Sequence, residues 1–192
     1  MLCVRKDNTV GKTKSFYVLF ADLVEYSTKN IYKQKEYVEQ FMSDLKKELK
    51  RFQQFGSLRD IVKSPAGDGI MIVIPAKNDF KRKKANKLHK LPLKIARNLI
   101  LHKKKYNLRI GLSYGEGLLY TDINGARNYV GSTINNCSRI MTAADKNQIL
   151  ISDAYYNLLK EKGINLYERF QKYQIRVKHN QILDIYQYKS ES

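Results

Sequence analysis

The sequence contains few cysteines, no long apolar run and few acidic residues. Its 192 residues include two cysteines, Cys3 and Cys137, too few for a disulfide framework or a cysteine-based metal cluster. No apolar stretch approaches the ~20 residues that a membrane-spanning helix needs, and the N-terminal residues do not resemble a secretory signal. We therefore expect a reduced, cytoplasmic protein with no direct membrane partner.

Basic residues outnumber acidic ones. The chain has 36 Lys and Arg but only 18 Asp and Glu, which gives a net charge of +18. Such an excess of positive charge can indicate a nucleic-acid partner. Lysine greatly outnumbers arginine, however, and arginine is the better residue for bidentate recognition of phosphates or bases. We therefore interpret the charge mainly as the mark of a lysine-rich proteome, with attraction of a small anionic substrate as a secondary effect, and a basic nucleic-acid-binding protein is the non-enzymatic alternative.

The pattern of apolar residues predicts one α+β domain, and 192 residues are enough for one full core. The predicted elements are a strand at 16–21, a helix at 31–55, a hairpin at 61–75, a helix at 79–105, a strand at 108–113, a strand segment punctuated by Gly115 and Gly117, a helix opened by 129–131 and running to about 145, a strand at 149–151, a helix at 154–159 capped by Ser152, and two or three strands within 166–188. This order predicts a ferredoxin-like sandwich, a mixed and mostly antiparallel sheet with flanking helices.

Two aspartates stand at strand ends. Two strand-like runs meet at the turn Gly67-Asp68-Gly69, which predicts a β-hairpin with the Asp68 carboxylate at its tip. Asp22 follows the apolar run at 16–21. Taken singly, Asp22 is better explained as a helix N-cap and Asp68 as an ordinary turn residue. As a pair, such carboxylates can face two divalent cations, which bind the phosphates of a nucleotide.

Four segments, in this order along the chain, resemble motifs of the catalytic domain of class III adenylyl and guanylyl cyclases. They are Phe20-Ala21-Asp22, Gly67-Asp68, Leu108-Arg109-Ile110-Gly111 followed by Gly115, and Gly131-Ser132-Thr133-Ile134-Asn135-Asn136-Cys137-Ser138-Arg139. The resemblance covers about residues 14–188. It implies that residues 1–192 form a single catalytic domain that converts a nucleoside triphosphate into a 3′,5′-cyclic nucleotide and pyrophosphate. A diguanylate cyclase would instead carry Gly-Gly followed by two acidic residues, which this sequence lacks.

The resemblance also implies a metal site. Two Mg²⁺ or Mn²⁺ ions in each active site would be held by Asp22, Asp68 and the backbone carbonyl of Leu23, all oxygen ligands that such ions prefer. In the family these ligands come from one subunit, and a catalytic asparagine and arginine come from the other. The resemblance therefore implies a homodimer with its active sites at the interface.

The catalytic pair would be Asn135 and Arg139, which lie one helical turn apart on one face of a helix. By resemblance, Asn135 orients the ribose and Arg139 stabilises charge on the phosphates as pyrophosphate leaves. The family also takes a triphosphate-binding lysine from its C-terminal hairpin. Lys178 is the candidate here, and Asn180 is an alternative occupant of the equivalent point.

The residues that select the base depart from the adenylyl cyclase pattern. Asn128 stands where those enzymes carry aspartate, and an amide can donate as well as accept hydrogen bonds. Lys63 lies one residue farther from Gly67 than the usual lysine, which puts Ser64 at the lysine position. The Glu and Cys pattern that reads guanine is absent, and Tyr129 could narrow the pocket against purines.

These departures resemble the pyrimidine cyclases of bacterial antiphage, Pycsar-type systems. The resemblance implies UTP or CTP as substrate, with cUMP or cCMP as a product read by a separate cyclic-nucleotide effector. An adenylate cyclase that makes cAMP is the alternative.

Overall fold

The structure, a computed structural model, describes residues 12–51, 61–76, 88–163 and 169–189. Within these ranges the elements are β1 (Lys14–Leu23), a 3₁₀ turn (Tyr26–Thr28), α1 (Ile31–Arg51), β2 (Val62–Ala66), β3 (Gly69–Pro75), α2 (Leu91–Ile100), β4 (Leu108–Thr121), β5 (Arg127–Val130), α3 (Ser132–Thr142), β6 (Gln148–Ser152), α4 (Asp153–Glu161), β7 (Phe170–Arg176), a 3₁₀ turn (Lys178–Asn180) and β8 (Ile182–Tyr188). None of the helices in these ranges is long and apolar enough to cross a membrane.

The strands form one sheet in the order β2-β3-β1-β4-β6-β8-β7, and β5 pairs with the far part of β4. The β4–β6 pair is parallel and the other pairs are antiparallel. This arrangement confirms the predicted α+β sandwich with a mixed, mostly antiparallel sheet.

Successive side chains of β1 enter two different cores. Tyr17 and Leu19 join a large cluster that includes apolar residues of α1, α2 and α4, whereas Phe16 and Val18 join a smaller cluster with Cys137 of α3. Because both faces of β1 are covered, its sequence is a continuous apolar run instead of an alternating one.

Two local predictions are confirmed. The β2–β3 hairpin forms a two-residue turn in which Gly67 has a φ of 62°, a left-handed conformation that glycine adopts without strain. The Ser152 hydroxyl accepts a hydrogen bond from the Tyr155 backbone N–H at 3.2 Å, which caps α4 as predicted.

Other predicted boundaries are wrong. β4 runs unbroken through both Gly115 and Gly117, and α2 spans only Leu91–Ile100, with residues 77–87 outside the described ranges. Tyr129 does not open a helix, because it pairs with Leu119 of β4 and lies in β5. Pairing with β4 therefore determines the conformation at Tyr129, although the local sequence predicted the start of a helix. The predicted end of the first helix also lies partly outside the described residues.

The close contact between α3 and β4 depends on Gly111. A Cβ atom at this position would lie 2.6 Å from the Met141 nitrogen and 2.7 Å from the Cys137 carbonyl oxygen, both backbone atoms of α3. The Cys137 thiol also donates a hydrogen bond to the Gly111 carbonyl at 3.3 Å. A side chain at residue 111 would therefore push the helix away from the sheet.

We expect Gly111→Ala to lower the free energy of unfolding by about 3 kcal/mol, because the added methyl overpacks against backbone. The control is Gly163→Ala, where a Cβ meets no atom within 4 Å but φ is +64°, so that only a backbone cost of about 1 kcal/mol is expected. Chemical denaturation measures both values. Equal losses would contradict the packing argument.

Candidate active site

Asp22 and Asp68, the two predicted metal ligands, lie beside each other at one end of the sheet. Asp22 is the penultimate residue of β1 and lies opposite Gly69, the residue that follows Asp68. A Cβ atom at residue 69 would lie 2.8 Å from the Asp22 Oδ1 atom, so the absence of a side chain at Gly69 makes room for this carboxylate. The tight β2–β3 turn then holds Asp68 next to it.

Arg109 completes this end of the site. It lies opposite Asp22 in the β1–β4 register, and its Nε and Nη2 atoms donate to Asp22 Oδ2 at 2.9 and 2.7 Å. Bidentate arginine–carboxylate pairs of this kind fix both side chains. No role of its own was predicted for Arg109, although a single cation within an apolar strand could have indicated one.

The electrostatics of this cluster favour a cation. The pKa of Asp68 is raised above its ordinary value, mainly by burial. The hydrogen bond from its own backbone N–H and the Arg109 guanidinium lower this pKa, whereas the neighbouring Asp22 carboxylate raises it further. The two carboxylates therefore repel each other, with one guanidinium only partly compensating.

The oxygen donors of Asp22 and Asp68 fit Mg²⁺ or Mn²⁺. The described residues contain no group of three or more His, Cys, Asp or Glu side chains that could hold a metal ion. Further ligands would come from backbone carbonyls, water or phosphate. Leu23 ends β1, and because its side chain has no donor atom, its backbone carbonyl is the only ligand it offers.

We expect two substitutions to move the pKa of Asp68 in opposite directions in metal-free protein. Asp22→Asn removes a repelling charge and should lower that pKa, whereas Arg109→Gln removes an attracting charge and should raise it. Carboxyl ¹³C NMR during a pH titration measures both shifts. The control is Asp184, whose pKa is lowered by hydrogen bonds from Lys172 and Gln174 and should not move. Shifts of the same sign would contradict the proposed coupling.

Lys63, Ser64 and Asn128, the predicted base-reading residues, line one cleft of about 270 Å³ together with Asp122 and Arg127. β2 is an edge strand, so Pro65 fits there without breaking a ladder bond. The β2–β3 register is regular and contains no bulge. The structure therefore brings both candidates for the lysine position to the same cleft as Asn128.

Asn128 has a defined polarity. Its Oδ1 atom accepts a hydrogen bond from the Tyr129 backbone N–H at 2.8 Å, and because that group can only donate, the amide oxygen must face it. The Nδ2 hydrogens are then the donors that Asn128 offers to the cleft. Asp122 has its Oδ1 atom engaged by the backbone N–H groups of Asn124 and Ala126 at 2.9 and 3.0 Å.

Tyr129 does not line this cleft. It is 7% exposed, and its ring packs against Phe16 with ring centroids 4.7 Å apart. Tyr129 itself therefore does not narrow this cleft, because strand alternation turns its side chain into the core while Asn128 lines the cleft.

Asn135 and Arg139 lie on α3 as predicted. Asn135 is exposed and Arg139 is half-buried. The Arg139 Nη1 atom donates to Gln181 Oε1 at 2.8 Å and weakly to Asn136 Oδ1 at 3.4 Å. Gln181 follows the 3₁₀ turn between β7 and β8 and was not among the predicted site residues.

The β7–β8 turn carries both candidates for the triphosphate lysine position. Lys178 begins the 3₁₀ turn and is exposed, and Asn180 ends it with a φ of 54°. Asparagine tolerates this left-handed conformation better than most residues, which gives Asn180 a structural reason to be there. Lys178 does not have a positive φ, so its backbone conformation does not explain why this exposed position is a lysine.

Residues 9–188 match the family model described as the adenylate and guanylate cyclase catalytic domain. Because the match spans nearly the whole chain, the protein belongs to this family of cyclase domains. The comparison with curated proteins gave no match.

Solved structures show the same fold. The guanylate cyclase domain of RhGC from Catenaria anguillulae, solved in complex with GTP, superposes with a TM-score of 0.70 at 18% identity, covering 94% of this chain and 100% of that one. The adenylyl cyclase CyaB from P. aeruginosa gives 0.68 at 16% identity, covering 94% and 96%. An adenylate/guanylate cyclase/hydrolase from Silicibacter pomeroyi gives 0.61 at 18% identity, covering 94% and 99%.

Proposed function

We propose that this protein is a uridylate cyclase, in which the ribose 3′-hydroxyl of UTP attacks the α-phosphorus and pyrophosphate leaves. Membership of the cyclase family supports nucleotidyl cyclase activity. The observation that carries the choice of base is the polarity of Asn128: it lines the cleft, and its amide oxygen is engaged by the Tyr129 backbone N–H, so its amide hydrogens are what it can offer to a base.

Asp22 and Asp68 would hold two Mg²⁺ or Mn²⁺ ions, with the Leu23 carbonyl as a further ligand. When bound, such ions lower the pKa of the attacking hydroxyl and neutralise charge on the phosphates. Arg109 holds the Asp22 carboxylate in place through two hydrogen bonds.

Asn135 and Arg139 would complete the site from a second copy of the chain. Asn135 would orient the ribose, and Arg139 would stabilise charge on the phosphates. Lys178 would bind the triphosphate.

An exposed apolar surface on the β4–β5 arm supports such a homodimer. Leu118 and Val130 lie directly opposite each other in the arm and are 40% and 53% exposed, and Ile123 at its tip is fully exposed. Side chains of this kind favour burial against a partner.

We expect two inactive variants to restore activity when mixed. Asp68→Ala and Arg139→Ala remove groups from different halves of the proposed site, so each heterodimer holds one complete site. Random subunit exchange should give about one quarter of the wild-type rate, because half of the dimers are heterodimers and each has one of two sites intact. Rates of cyclic nucleotide formation measure this recovery.

The matched control for this mixture is Asp68→Ala with Asp22→Ala. Both substitutions fall in the same half, so no heterodimer holds a complete site and the mixture should stay inactive. Recovery in the control, or no recovery with Arg139→Ala despite demonstrated subunit exchange, would contradict a site shared between subunits.

Uracil fits the cleft better than the other bases. A base atom that faces the Asn128 amide hydrogens must be an acceptor, and uracil offers a carbonyl where adenine and cytosine carry an amino group. Guanine, like uracil, offers a carbonyl beside an N–H, but it adds an amino donor that calls for a carboxylate, and Asp122 has one oxygen engaged within its own turn. The Lys63 ammonium can donate to the second carbonyl of uracil.

We expect Asn128→Asp to lower kcat/KM for UTP roughly 10- to 100-fold, because a carboxylate would face a uracil carbonyl and neither group could donate. Use of CTP should rise in the same variant, since the carboxylate accepts from the cytosine amino group. The control is Asn124→Asp, an exposed position in the same β4–β5 turn that adds the same charge. Unchanged UTP use in Asn128→Asp, or an equal loss in the control, would contradict the assignment.

The resemblance to pyrimidine cyclases extends this proposal to bacterial antiphage signalling, with cUMP read by a separate effector in the cytoplasm. An adenylate cyclase remains the alternative because Lys63 lines the cleft, as a lysine does in enzymes that read adenine. Preferential formation of cyclic AMP would favour it.

A further inference from the structure

Arg139 needs contacts that fix its guanidinium. It lies in the last turn of α3 and its side chain is half-buried. An arginine side chain has about 2 kcal/mol of rotamer entropy, so its neighbours determine where the charge points. A catalytic cation that is held in advance in the right place contributes more than one that must be ordered during the reaction.

Gln181 supplies the shorter of the two hydrogen bonds to this guanidinium. Its Oε1 atom accepts from Arg139 Nη1 at 2.8 Å, while Asn136 accepts from the same nitrogen at 3.4 Å. Both acceptors engage Nη1, which leaves the Nε and Nη2 hydrogens of Arg139 for a phosphate.

Both acceptors are also neutral. Among the residues that the structure describes, Arg139 forms no ion pair with a carboxylate, in contrast to Arg109, whose Nη2 lies 2.7 Å from Asp22 Oδ2. An amide fixes a guanidinium without cancelling its charge, whereas a carboxylate would cancel most of the field that acts on a phosphate.

Gln181 is itself held at a defined place. The Val177 backbone N–H donates to the Gln181 carbonyl at 2.8 Å and closes the β7–β8 turn, next to the last ladder pair, Arg176 with Ile182. A cleft of about 600 Å³ separates part of α3 from the hairpin, with Asn136 on one side and Leu183 on the other. The Gln181–Arg139 bond therefore links the turn that carries Lys178 to the helix that carries Arg139.

We propose that Gln181 is a positioning residue for the cyclase reaction, which orients the Arg139 guanidinium and ties the Lys178 turn to α3 while leaving the positive charge of Arg139 intact. This inference rests on the proposed function, in which Arg139 acts on the phosphates of the substrate. Gln181 itself would not touch the reacting atoms.

The test combines kinetics and NMR on the full chain. Gln181→Ala should lower kcat about tenfold and change KM less than twofold, since orientation matters most in the transition state. The control is Gln171→Ala, an exposed position at the far end of β7 that should behave as wild type.

NMR of the Arg139 guanidinium nitrogens gives a readout that does not depend on activity. In wild type, the side-chain order parameter of Arg139 should be high, and it should fall in Gln181→Ala but not in Gln171→Ala. Gln181→Glu separates orientation from charge: it keeps an acceptor and should preserve the order of Arg139, but its negative charge should lower kcat.

The outcomes test two separate claims, the positioning role of Gln181 and the proposed cyclase activity. Wild-type kcat and unchanged Arg139 order in Gln181→Ala would overturn the positioning role. If wild type forms no cyclic nucleotide from any of the four triphosphates, the proposed function fails. The NMR comparison would then still show whether Gln181 orients Arg139.

Discussion

The register between β1 and β4 is the constraint on which the rest of the structure depends. It places Arg109 opposite Asp22 at one end of the pair, so that a bidentate ion pair forms between neighbouring strands. The same strand, β4, presents Gly111 to the backbone of α3 and then continues outward to pair with β5. A slip of one residue would turn Asp22 to the opposite face of the sheet and destroy the site.

The candidate site divides into groups with different electrostatic roles. The Asp22 and Asp68 carboxylates repel each other and are only partly compensated by Arg109, which suits them to cations. Arg139 is contacted by neutral amides, which leave its charge for the phosphate that we propose it binds. In the proposed function, the cleft that Asn128 lines distinguishes bases by hydrogen-bond polarity. These roles complement one another only if one nucleotide contacts all of them, and the proposed dimer is the arrangement that allows it.

The sequence predicted those features that local chemistry determines. Gly67 and Asp68 specify a tight turn with a carboxylate at its tip, and the cleft of Lys63 and Asn128 follows from motif spacing. Features that depend on long-range pairing were missed. Arg109 finds Asp22 only through the strand register, Gln181 reaches α3 only through the hairpin, and Tyr129 becomes part of a strand because β4 offers it a partner. Each of these contacts joins residues far apart in sequence.

The most direct test of the central claim is to incubate the purified protein with equimolar ATP, GTP, UTP and CTP and Mn²⁺, and to identify the cyclic products by mass spectrometry. The account predicts cyclic UMP as the main product, because the Asn128 amide donates to the cleft that would hold the base. Cyclic AMP as the main product would contradict the base assignment, and the absence of any cyclic nucleotide would contradict the proposed activity.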